Sequence, residues 1–388
     1  MQVMNSINTR QRYDLGELLR ENEQELSLRY KLSFAQERAI ADLIKCRTAE
    51  SGGHAMHCNR CGYTEYSYNS CRNRHCPKCQ FVKQEQWVDK LKSGLPATGY
   101  FHVVFTVPRT LHELFYVNQK SCYNYLLTAA ITSVKQVAGS KNGIGNGVII
   151  GGIALLHTWG QALTYHPHVH MLIPAGGLSE DHMEWIRSSR EFFVPVKILS
   201  KVFRGILCKQ LEGAVHNGEI FLQEGHRWSS LKAQLYKKGW NVNIKPYMAG
   251  PERVVAYLGR YTYRVAISNE RITRVKDHKV SFRIKDYRSN SVIRIIELPV
   301  IEFLRRFLQH ILPSGFYKIR YFGFMAQVHV GRLGKQVIAL LEQSRLIPEF
   351  EGLSATEIYS AITGRTINIC RVCKLGRMIP AHIKIPPS

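Results

Sequence analysis

Tyr165-His166-Pro167-His168-Val169-His170-Met171-Leu172-Ile173-Pro174 places two imidazoles one residue apart in a run that turns apolar and stops at proline. The composition predicts a strand over 168–174. Alternate side chains on a strand share a face, so His168 and His170 project together while Val169 points into the core. The residues Tyr165-His166-Pro167 read as a turn, and 151–163 reads as the preceding strand of an antiparallel hairpin. Two imidazoles on one face can hold a divalent ion. Gln161, seven residues before His168, would lie roughly opposite it as a third ligand. His157 has the same parity and is the second candidate. A His, His, Gln set with open positions suits Mg²⁺ or Mn²⁺ bound to a phosphate oxygen rather than structural zinc. Taken alone, the triplet is common, and two exposed or satisfied histidines would be the better reading of it.

Further from the hairpin, 101–107 is β-branched and aromatic and stops at Pro108, which predicts a strand. Leucines interleaved with charges predict helix over 9–45, and a polar helix is expected over 82–91. Helices are also expected over 112–137, 253–267, 301–312 and 332–346, and a strand over 279–286. Strand, helix, hairpin, mixed region and helix together predict an α+β fold with an antiparallel sheet. A helical and zinc-binding DNA-binding domain is expected over 1–95, a catalytic domain over 96–275, and a mostly helical C-terminal region over 276–388.

The charge balance narrows the partner. Fifty-three Lys and Arg against 29 Asp and Glu give +24 over 388 residues. An excess of that size points to a polyanion, and nucleic acid is the commonest. The start lacks the apolar stretch of a secretory signal, and the apolar run 147–156 is too short to span a bilayer. The expected setting is soluble and intracellular, with no membrane partner.

Of ten cysteines, six fall between Cys46 and Cys79 among histidines. Such clustering argues for metal rather than disulfides. Cys58-Asn59-Arg60-Cys61-Gly62 and Cys76-Pro77-Lys78-Cys79 are two Cys-x-x-Cys knuckles separated by fourteen residues. Each can offer two thiolates to a tetrahedral zinc ion. Cys46, His54, Cys71 and His75 lie nearby, so one or two structural Zn²⁺ are expected. The assignment adopted is Cys58, Cys61, Cys76 and Cys79 on one ion and Cys46, His54, Cys71 and His75 on the other. Interleaved pairings have the same composition. Arg60, Arg72, Arg74 and Lys78 on these loops are expected to grip phosphates. Cys370 and Cys373 form a lone knuckle, half a site, or a simple thiol pair. Cys122 and Cys208 read as small buried apolar residues.

The last element is Tyr257-Leu258-Gly259-Arg260-Tyr261. Residues four apart share a helix face, so Tyr257 and Tyr261 would point at one place. An aromatic stripe on a core is the plain alternative, but Arg253, Arg260 and Arg264 crowd the same helix and are expected to meet DNA. A free tyrosine is a weak nucleophile, with a pKa of about 10, and needs metal or basic help. Two tyrosines allow two successive transesterifications.

At these residues the sequence resembles the two-tyrosine rolling-circle transposases of the IS91 type, within the His-hydrophobic-His (HUH) endonuclease superfamily. The blocks that carry it are 69–80, 156–161, 165–170, 257–264 and 312–316, none of which departs from the pattern at the motif positions. The resemblance implies that His168 and His170 bind the catalytic Mg²⁺ or Mn²⁺ and that the preceding strand supplies the third ligand, which favours Gln161. It also implies that Tyr257 and Tyr261 are the nucleophiles, leaving a 5′-phosphotyrosine and a free 3′-OH. The DNA would be single-stranded or locally melted element ends and target. No phosphate-binding P-loop is present, so unwinding would fall to host replication or helicase proteins, or to supercoiling. A replication initiator or relaxase, a zinc-dependent DNA-binding protein without catalysis, and a water-using nuclease are the competing readings.

Overall fold

The computed structural model describes residues 13–251, 255, 259, 266–286, 291–344, 347–364, 366 and 368–385. The chain opens with α1 (Leu15–Arg29) and α2 (Phe34–Lys45). The single helical stretch expected over 9–45 is two helices. Ser33 and Gln36 form a capping box that starts α2 afresh, satisfying donors that would otherwise be left bare. β1 (Gly53–Cys58), β2 (Thr64–Tyr68) and α3 (Phe81–Gly94) complete the N-terminal module.

The central part runs β3 (Tyr100–Thr106), α4 (His112–Val117), α5 (Gln119–Ala138), β4 (Gly152–Trp159) and β5 (Tyr165–Pro174). The helix expected over 112–137 breaks at Asn118, whose side-chain amide donates to the carbonyls of Leu114 and Phe221. Next come a short ribbon, β6 (Gly176–Leu178) and β7 (Trp185–Arg187), and then α6 (Val196–His216), α7 (Trp228–Lys237) and β8 (Val242–Ile244). A second three-stranded sheet, β9 (Ile272–Lys276), β10 (Lys279–Asp286) and β11 (Val292–Pro299), leads into α8 (Val300–Leu308). β12 (Ile319–Phe322), α9 (Lys335–Leu340), α10 (Ala355–Thr363) and β13 (Met378–Ile385) finish the described chain.

The main sheet has the order β12-β4-β5-β3-β8 and is antiparallel throughout. An α+β architecture is therefore what the residues build. One face carries Val103, Phe105, Ala154, Leu156, Val169, Met171 and Ile173, packed under α5 and α6. The opposite face is divided along its length. Tyr100, Ile153, Leu155 and Leu172 make its apolar end, joined by Leu91, Leu95 and Phe324. His102, His157, His168 and His170 share that face's parity at the other end.

Residues after 276 do not gather in one place. β12 adds an edge to the main sheet, and β13 pairs with β1 of the N-terminal module. Among the described residues no helix is long and apolar enough to cross a membrane.

Candidate active site and metal centres

The β4–β5 register sets His157 directly across from His168 and Leu155 across from His170. His157, His168 and His170 thereby offer ring nitrogens that all lie within 4.8 Å of one another. On His168 and His170 the other ring nitrogen is committed in a way that aims the ring. His168 Nδ1 donates to the His166 carbonyl at 2.6 Å. His170 Nδ1 and His102 Nε2 are 2.8 Å apart and share a hydrogen bond. Such outer partners fix the tautomer and orientation of a metal-binding imidazole. Burial pushes His157 and His170 well below the usual imidazole range, and His168 down to about 4. The rings are therefore neutral near pH 7, the form that binds a metal.

Gln161 does not join them. β4 ends at Trp159, and the chain turns through 160–164, where Leu163 takes a φ of +58°. The Gln161 side-chain oxygen accepts from the Lys285 backbone N–H, and its carbonyl accepts from the Arg271 guanidinium. Arg306 ties down the carbonyl of Ala162. The residue that clusters with His168 and His170 is thus His157, and the reason is register: the strand ends two residues before Gln161.

Lys318, just before β12, lies with its Nζ 5.8 Å from the centre of the Trp159 ring. That nitrogen is closed off from solvent and has no hydrogen-bond partner among the described residues. Burial, with Arg74 nearby, pushes its pKa down to about 7. Trp159 in turn stacks on His157, ring centres 4.8 Å apart.

Tyr257 and Tyr261 lie outside the described residues, as do Arg253, Arg260 and Arg264. Two of their neighbours are described. Val255 is buried in the apolar end of the histidine-bearing face. Gly259 sits where an added Cβ would come within 2.9 Å of Val88 on α3.

The cysteines sort differently from the expected pairing. One group is Cys46, Cys71, Cys76 and Cys79; the other is Cys58, Cys61, Cys370 and Cys373. In the first, Sγ separations are 3.1 Å for Cys46–Cys79, 3.5 Å for Cys76–Cys46 and 3.7 Å for Cys71–Cys79. A tetrahedral ion with Zn–S near 2.3 Å would space its thiolates by about 3.8 Å, so four protein ligands fit with no open position. Neither histidine belongs to a cysteine group. His54 is exposed on β1. His75 is buried, its Nε2 accepting from the Leu312 N–H at 3.1 Å.

Residues 18–107 match the family described as "Transposase zinc-binding domain", and residues 151–332 match the one described as "Putative transposase". "Putative transposase y4qJ" of Sinorhizobium fredii is 40% identical over 362 residues, covering 91% of this chain and 90% of the relative. The chain belongs to the IS91 family of transposases. "Transposase for insertion sequence element IS801" of Pseudomonas savastanoi pv. phaseolicola is 28% identical over 318 residues, or 79% of the transposase described here and 74% of that protein. No solved structure matches it.

Two of the four cations expected to grip phosphates are occupied inside this transposase. Arg74 donates to the carbonyls of Phe316, Pro313 and Leu312. Lys78 pairs with Asp14 at 2.8 Å and donates to the Cys46 carbonyl. Arg60 and Arg72 remain exposed. Arg74→Ala should therefore destabilise the fold by roughly 2–4 kcal/mol, since it strips partners from half-buried carbonyls. Arg60→Ala with Arg72→Ala should leave the melting temperature within about 2 °C, equivalent to ±0.5 kcal/mol. The same double variant should lower the salt slope of DNA binding by about 1–2. Thermal melts and a salt titration separate the two outcomes. Equal melts for Arg74→Ala and wild type would contradict the assignment.

His310 is fully buried. Its Nδ1 accepts from the Thr158 hydroxyl and its Nε2–H donates to the Leu163 carbonyl, both at 3.1 Å. Burial pushes its pKa from 6.5 to about 4. The unfolded chain then binds the proton more readily, so this contribution to stability is whole above pH 6.5 and is lost as pH falls toward 4. At pH 5 the loss is on the order of 2 kcal/mol. His310→Asn should therefore show a shallower fall in stability between pH 7 and pH 5 than wild type, measured by denaturant titration. Parallel curves would refute it.

Proposed function

We propose that this transposase cuts one DNA strand with Tyr257 or Tyr261 and transfers the end it holds, as in rolling-circle transposition. The observation that carries the reading is the triad His157, His168 and His170 on the same sheet face that buries Val255, from the segment bearing both tyrosines. The triad would hold a divalent cation, which supplies charge to polarise a scissile phosphodiester. An all-imidazole set without carboxylate suits Mn²⁺ better than Mg²⁺. The phenolate oxygen attacks phosphorus, the bond to the 3′-oxygen breaks, and that oxygen leaves as a 3′-OH after taking up a proton. The bond energy stays in a 5′-phosphotyrosine, and the second tyrosine can repeat the exchange. Lys318, shielded behind Trp159, adds positive potential to the site without contacting substrate. Arg60 and Arg72 would meet the backbone of single-stranded or locally melted ends.

The test uses a labelled single-stranded oligonucleotide carrying an element end, Mn²⁺ and a denaturing gel. A covalent protein–DNA band is expected, retained in part by Tyr257→Phe or Tyr261→Phe and lost when both are replaced. Hydrolysed ends with no protein attached would favour a water-using nuclease and overturn the reading.

A further inference from the structure

The match to the zinc-binding domain ends at residue 107, yet two cysteines near the other end of the chain face it. Cys58 and Cys373 approach to 3.7 Å across 315 positions of sequence, and Cys61 and Cys370 to 3.7 Å across 309. Both separations are the edge of a thiolate tetrahedron around zinc, about 3.8 Å. They are far beyond the roughly 2.05 Å of a disulfide.

The two knuckles have the same backbone. The residue after each second cysteine is left-handed, Gly62 at φ +71° and Lys374 at φ +60°. Its N–H donates to the first cysteine's carbonyl in both, at 3.1 Å for Gly62 and 3.0 Å for Lys374. Backbone N–H groups point at the sulfurs: Arg60 and Cys61 donate to Cys58 Sγ, and Gly376 donates to Cys373 Sγ. Gly376 packs so close that an added Cβ would stand 2.3 Å from Cys58 Sγ. Asn59 and Arg377 then exchange bonds between the knuckles, and β13 continues along β1.

Apolar packing alone is a poor account of this joint. Its buried cluster is Cys58, Cys370 and Met378, with Met56, Tyr63 and Cys373 partly covered. A core that small needs a staple.

We propose that Cys58, Cys61, Cys370 and Cys373 bind a second structural zinc ion, which clasps the C-terminal segment to the N-terminal module. The clasp turns the intervening chain into a closed loop. It also sets the segment holding α10 against α3, where Phe81 meets Tyr359 and Asp89 accepts from the N–H groups of Glu349 and Phe350. The inference is independent of the strand-transfer chemistry, because it rests on the thiols alone.

The experiment is metal analysis on full-length protein. Wild type should carry two zinc ions per chain. Cys370→Ser with Cys373→Ser should carry one and become sensitive to trypsin within 364–377. Cys71→Ser with Cys79→Ser probes the other group. Thiol labelling of wild type keeps the test decisive if a variant misfolds. Cys61 is exposed and Cys373 half-buried, so free thiols there would label at once; both should resist maleimide until a chelator is added. One ion per wild-type chain, iron in place of zinc, or labelling of Cys61 and Cys373 without chelator would each overturn the clasp.

Discussion

His168→Ala is expected to lower strand cleavage by at least about 10³-fold, some 4 kcal/mol of transition-state stabilisation. The substitution removes one of three imidazoles whose nitrogens converge within 4.8 Å. His157→Ala and His170→Ala should do the same, which is the sharp part of the expectation. His102→Ala should cost less, about 10–100-fold, because His102 acts by orienting His170 through their shared bond. Gln161→Ala should change the rate by no more than roughly 3-fold, since its side chain bonds the Lys285 backbone instead of facing the histidines. Single-turnover cleavage of an element-end oligonucleotide across a Mn²⁺ titration gives the order. A loss at Gln161 comparable to that at His168, with His157→Ala near wild type, would show that the register argument is wrong. Unchanged melting temperatures in the same variants would separate lost chemistry from lost fold.

The shared face of the histidine pair was legible because strand parity is a strong rule, although β4 stops at Trp159 instead of running to 163, and 165–167, expected as the turn, belong to β5, so that the turn lies at 160–164. The third member of the cluster was not, because it depends on where a strand stops. Gln161 and His157 have the parity for the site, and only the turn at 160–164, pinned by Arg271 and Arg306, separates them. The cysteines failed for another reason. Spacing favours neighbours in sequence, so the knuckles at 58–61 and 76–79 looked like partners. Arithmetic held a better signal. Setting Cys122 and Cys208 aside from ten cysteines leaves eight thiols, enough for two four-thiol sites with no histidine at all. Chain-distant pairing of 58–61 with 370–373 is set by the β1–β13 register, which local pattern cannot reveal. Cations were over-read in the same way: Arg74 and Lys78 look like phosphate grips until their carbonyl and Asp14 partners are seen.

Removing zinc from the first cysteine group is expected to unfold the N-terminal module while the sheet core under α5 and α6 survives. Structural zinc binding is worth on the order of 10–16 kcal/mol at pH 7, comparable to the whole stability of an ordinary domain, about 5–15 kcal/mol. The group sits where that loss spreads. Cys46 is the C-cap of α2, and Cys46 and Cys76 are both buried in the cluster that holds α1, α2 and α8 together. The two residues just before Cys76, Arg74 and His75, fasten it to 312–316. The sheet core shares no cysteine with this group; its own two, Cys122 and Cys208, are isolated and buried. A chelator strong enough to take the ion, or Cys76→Ala, should therefore split thermal unfolding into two transitions, the upper near that of the loaded protein. Trypsin should cut within 47–80 before it cuts within 100–174. Because Lys318 and β12 follow directly on the 312–316 loop, DNA cleavage should fall with the lower transition, although no histidine of the triad has been touched. Calorimetry and timed proteolysis, with zinc content followed on the same samples, report all three. A zinc-free protein that melts in a single transition at the loaded temperature would show that the thiols hold this module together without metal.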